Sequence, residues 1–92
     1  MTVKLDAKFD GTIRKVKDGS IVPDDQYIVF LIKDNAFWMA LQHYRKVCKS
    51  AGCDENQLAA VDRMIERGRV WRDENRNLCK WPDISEGEKL LE

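Results

Sequence analysis

Trp38, Gln42, Arg45 and Lys49 recur at spacings of three and four residues, so a helix turning about 100° per residue would gather them into one ridge. An aromatic ring can stack on a nucleobase, and a guanidinium forks onto phosphate oxygens in a way that a lone ammonium does not. The plainer alternative is a rim tryptophan packed on the aliphatic stems of its neighbours. Further along, Arg63, Arg67, Arg69, Arg72 and Arg76 fall within fourteen residues that contain no lysine. Glu66, Asp73 and Glu74 are close enough for intrahelical pairs, such as Glu66 with Arg69 and Arg69 with Asp73, so a charged solvated face is the default. Arg63 and Arg67, one turn apart and off the apolar stripe, would form a phosphate-binding surface if two copies met there. Asn35 stands where a helix begins and where free N–H groups favour anions. The candidate ligand-binding set is therefore Asn35, Trp38, Arg45, Arg63 and Arg67, and the ligand a small nucleotide bearing phosphates.

Catalytic and metal chemistry find less support. The one histidine, His43, has no Ser or Cys placed beside it by the sequence. Asp24, Asp25 and Asp34 flank apolar segments as turn and cap residues do. A zinc site from His43, Cys48, Cys53 and Cys79 fails on spacing, because His43 and Cys48 diverge on a helical wheel and tetrahedral zinc wants ligand pairs converging from tight turns. Buried free thiols are the better account of the cysteines. No catalytic residue, no metal and no cofactor are assigned.

The elements that position these side chains read as an α+β fold: an N-terminal antiparallel sheet of about three strands packed against a C-terminal antiparallel helix pair. Val3, Leu5, Ala7, Phe9, Gly11 and Ile13 alternate with Lys4, Asp6, Lys8, Asp10, Thr12 and Arg14, which predicts one core face and one wet face. Asp18-Gly19 signals a reversal, and Ile21-Val22 ends at Pro23-Asp24-Asp25. Tyr27 to Lys33 follows as a strand apolar on both sides, one that needs cover on both faces. Asp34 or Asn35 then caps a helix from Ala36 to about Ser50, with Phe37, Ala40, Leu41, Tyr44, Val47 and Cys48 on its core face and Ala51-Gly52 as its end. Asp54 to Gln57 resembles a capping box before Leu58, Val61, Met64, Ile65, Gly68 and Trp71, and this second helix ends near Asn75. Gly68 within that stripe suggests a close crossing. Trp81 is expected to dock as an anchor, and the composition of residues 84–92 suits a solvated tail open to disorder.

Ninety-two residues, 43% apolar and 35% charged, describe a single domain over 1–92 with a thin core, a size at which a shared interface supplies missing burial. A homo-oligomer is expected. Sixteen basic residues balance sixteen acidic ones, which makes nucleic acid an improbable partner. No apolar run is long enough to span a bilayer, no signal peptide opens the chain, and three cysteines without a CxxC pair suit reduced thiols, so no membrane partner and a cytoplasmic location are expected.

The order VPDDQYIVFLIKDNAFWMALQHYRKVC, then QLAAVDRMIERGRVWRDEN, then CKWPD, resembles small phage-encoded proteins, and over residues 21–83 the anti-Thoeris proteins that act as sponges for cyclic ADP-ribose signals. That resemblance implies a homo-oligomer that binds a cyclic nucleotide messenger without cutting it. It would thereby block bacterial anti-phage defence from within the host cytosol. The alternative is a small phage or prophage regulator that binds DNA or a host protein through the arginine-rich helix, with Ser50 to Asp54 as the turn of a helix-turn-helix.

Overall fold

The computed structural model describes residues 3–84. They form two compact units, one made by residues up to Val29 together with Asp83 and Ile84, the other by Phe30–Pro82. The α+β class holds, with two strands among the described residues where about three were expected.

In the first unit β1 (Ile13–Arg14) pairs antiparallel with β2 (Ile21–Val22) in the register Ile13 to Val22 and Arg14 to Ile21. The reversal lies where Asp18-Gly19 signals it. Gly19 adopts φ +74°, a left-handed conformation that suits glycine, and its N–H donates to the Lys15 carbonyl at 2.8 Å. Asp18 Oδ1 accepts from both the N–H and the hydroxyl of Ser20.

The alternation over residues 3–13 does not produce the expected strand with a wet polar face. Val3 and Leu5 are half exposed, whereas Asp6 is buried with 5% of its surface accessible. Its Oδ1 accepts from the N–H groups of Lys8 (2.8 Å) and Phe9 (2.7 Å), and its Oδ2 from Val29 N–H at 2.7 Å. Three N–H donors converge on one carboxylate, so the chain curls around Asp6 instead of running straight. Lys4 Nζ reinforces the curl by donating to the carbonyls of Asp6 and Phe9.

Tyr27 to Lys33 is likewise not a strand, because its main-chain groups are met singly and not by a ladder. Val29 N–H goes to Asp6, the Leu31 carbonyl accepts from Asp34 N–H, and the Lys33 carbonyl accepts from Lys80 N–H. Without a neighbouring strand, Ile28, Phe30 and Leu31 stay substantially exposed, although the Phe30 ring stacks on Phe37 with centroids 5.2 Å apart.

The second unit is a helical hairpin, α1 (Asn35–Ser50) and α2 (Glu55–Glu74), followed by a short 3-10 turn at Arg76–Leu78. Asp34 is the N-cap of α1: its Oδ1 accepts from Phe37 N–H at 2.9 Å. Asp54 caps α2 through Asn56 N–H. Between them Gly52 takes φ +77° and closes a Schellman motif, with Cys53 N–H on the Cys48 carbonyl and Gly52 N–H on the Lys49 carbonyl. Leu41, Cys48 and Val61 are the buried apolar side chains among the described residues. Tyr44, Val47 and Met64, expected in the core, are about half exposed, and Trp81, expected as a docked anchor, is 64% exposed. The tail expected over 84–92 lies, beyond Ile84, outside the described residues.

Gly68 faces inward, where an added Cβ would stand 2.6 Å from Ile32 Cδ1 and 2.8 Å from Trp38 Cζ3. The glycine thus lets α2 approach Trp38 and the segment before α1 more closely than any side chain would allow.

Candidate functional site

The approach at Gly68 sets Trp38 against α2, and the next turn of α2 delivers Arg72 to the same place. Arg72 Cζ lies 5.4 Å from the centroid of the Trp38 ring, within cation–π range. Its guanidinium is held by two acceptors, Asn35 Oδ1 at 2.7 Å and the Ile32 carbonyl at 3.1 Å. Asn35 is itself fixed, since its N–H donates to the Lys80 carbonyl at 2.9 Å, where the chain returns beside the start of α1 in an isolated parallel bridge from Asp34 to Lys80.

Asn35, Trp38 and Arg72, with Asp73, Arg76 and Cys79, line an open concavity of about 440 Å³. Asp73 is anchored by Arg69 at 3.2 Å, and Arg76 reaches it only at 3.4 Å, leaving the Arg76 side chain 82% exposed. Cys79 directs its thiol to the Asn75 carbonyl. The concavity therefore offers an aromatic ring, a fixed guanidinium, a loosely held guanidinium and a carboxylate. These groups can stack a planar ring, neutralise an anion and accept from a hydroxyl.

Of the five residues singled out from the sequence, the structure brings Asn35 and Trp38 together and separates the other three from them. Arg45 grips Asp62 of α2 with two hydrogen bonds, Nε to Oδ1 at 2.9 Å and Nη2 to Oδ2 at 3.2 Å. Their mutual bonding holds the Asp62 carboxyl below, and the Arg45 guanidinium above, its ordinary pKa. Arg63 and Arg67 are exposed on the side of α2 away from Val61 and Gly68, and have no partner among the described residues. Arg69 pairs with Glu66 and Asp73 as the spacing predicts.

Arg72 and Arg76 were not distinguished by sequence reasoning from the other arginines. The signal was present: Arg72 continues the stripe Val61, Ile65, Gly68 at helical spacing, and a cation in an apolar stripe needs an internal partner.

Among the described residues, no three His, Cys, Asp or Glu side chains converge in a way that could hold a metal ion. No helix among them is long and apolar enough to cross a membrane. Comparison of the chain with protein-family models, with curated proteins and with solved structures yields no match.

Proposed function

We propose that this chain is a non-catalytic binding protein that sequesters a phosphate-bearing cyclic nucleotide, of the cyclic ADP-ribose type, in the concavity beside Trp38. The observation that carries the reading is the Trp38–Arg72 pair fixed by Asn35 at the wall of a concavity whose second arginine, Arg76, is exposed. Arg76 would meet phosphate, Trp38 and the guanidinium of Arg72 would stack a base, and Asp73 would accept from a ribose hydroxyl. Stacking contributes about 1–3 kcal/mol per base and a charge-assisted hydrogen bond about 1.5–3 kcal/mol. Both are available without any reaction step. The likeness of residues 21–83 to the anti-Thoeris sponges supports the choice of messenger, and with it a role in blocking anti-phage defence from the bacterial cytosol. A homo-oligomer is part of this reading, supported by the half-exposed apolar side chains along the helical hairpin.

Calorimetric titration with cyclic ADP-ribose isomers and with cyclic dinucleotides tests it. Arg76→Ala should weaken binding roughly tenfold or more and leave thermal stability unchanged, because Arg76 makes one long ion pair. Absence of binding below about 100 micromolar, a free energy of only about 5.5 kcal/mol, would overturn the reading.

A second reading follows from Arg63 and Arg67, which project from a twenty-residue helix without partners among the described residues. A regulator that lays this helix on DNA or on an acidic protein surface would use them. DNA binding should then weaken steeply with salt as counterions are retained, and Arg63→Ala with Arg67→Ala should flatten that slope.

A further inference from the structure

The turn between α1 and α2 carries a second chemistry, unrelated to the concavity. In a Schellman motif the third residue from the helix end and the second residue beyond its cap stand side by side, commonly as an apolar contact. Here both positions are cysteine, Cys48 and Cys53. The Cys53 N–H donates to the Cys48 carbonyl at 3.0 Å, and Gly52, at φ +77°, fixes the reversal between them. A disulfide needs Cα atoms about 4.4–6.8 Å apart, a separation that a direct main-chain bond between the two residues favours. Both thiols are free, Cys48 buried and Cys53 half-buried. Burial raises the Cys53 thiol above its ordinary pKa, and the Cys48 side chain beside it adds to that shift. Cys79 is remote from this turn, with its thiol on the Asn75 carbonyl beyond the far end of α2.

We propose that Cys48 and Cys53 are a reversible dithiol–disulfide site that closes across the helix turn by exchange with a low-molecular-weight disulfide such as oxidised glutathione. Cys53, the more accessible, loses its proton and attacks one sulfur of the oxidant, breaking its S–S bond and releasing the first thiol, which takes up that proton. Cys48 then loses its proton and attacks the Cys53 sulfur of the mixed disulfide, expelling the second thiol. Two protein thiols are oxidised and one disulfide is reduced to two thiols, so electrons and protons balance.

The test uses the full chain with Cys79→Ser, incubated with oxidised glutathione and read by intact mass and by peptide mapping under non-reducing conditions. The expected result is a chain lighter by two hydrogens, not cross-linked to another copy, with one peptide joining Cys48 to Cys53, restored by dithiothreitol. Peptide mapping of the wild-type chain should give the same linkage, so a folding defect in the variant does not decide the outcome. A lasting glutathione adduct on Cys53 without closure, cross-linking between copies, or two unreacted thiols in protein shown to be folded by circular dichroism would each overturn the proposal.

Discussion

Asp6 shows how far a single side chain can redirect the chain. Period-two alternation assigns it to a wet face, yet it is buried and accepts from three main-chain N–H groups. Alternation records which residues could share a face and cannot register that an acid has found internal donors. Asp6→Ala should lower stability by on the order of 2 kcal/mol, since a fully buried donor left without an acceptor costs about 1–3 kcal/mol and the three donors here are part-buried, so water replaces much of what the carboxylate supplies. Urea denaturation monitored by circular dichroism would measure it. Burial pushes the Asp6 pKa up, but the bonds from Val29, Lys8 and Phe9 and the charge of Lys4 outweigh it, so the folded value is depressed. Its contribution is therefore present above the ordinary aspartate pKa and lost as pH falls below that value through the depressed one. Asp6→Ala should remove this part of the acid dependence of the melting temperature, and an unchanged acid slope would contradict the assignment.

The helices were legible because each boundary has a local cause written within a few residues: Asp34 and Asp54 cap the starts, and Gly52 ends the first. Tyr27 to Lys33 departs from the expected strand for the complementary reason. An apolar run names no partner, and the main-chain groups here are claimed by Asp6, Arg72 and Lys80 instead of a neighbouring strand. Of the side chains lining the concavity, Asn35 and Trp38 were legible for the same local reason, since they share one helix start, whereas Arg72 reaches them only through the α1–α2 packing. That packing depends on Gly68. Gly68→Ala gains about 1 kcal/mol of helix propensity but places a methyl group 2.6 Å from Ile32 Cδ1 and 2.8 Å from Trp38 Cζ3, an overpacking that costs about 1–3 kcal/mol. The expected balance is a lower denaturation midpoint together with a shift in tryptophan emission as Trp38 is displaced. A raised midpoint would contradict the close packing of these residues.

At the scale of the whole molecule, Leu41, Cys48 and Val61 are little apolar burial among the described residues, and Tyr44, Val47 and Met64 leave an apolar surface on the helical hairpin. Chains of this length commonly complete such a core by association. If the chain associates as proposed, multi-angle light scattering should give a multiple of 10.7 kDa, and Met64→Lys should reduce it by placing a charge on the exposed apolar surface that association would cover. A monomer at micromolar concentration would contradict this part of the account. A protein that sequesters its ligand as proposed must assemble, hold a nucleotide and do nothing to it, and native mass spectrometry reads all of this at once. Wild-type protein incubated with a cyclic ADP-ribose isomer should appear as an oligomer carrying the intact ligand mass, which denaturation then releases unchanged. Protein that carries no adduct, or that releases a nucleotide of different mass, would contradict the proposal.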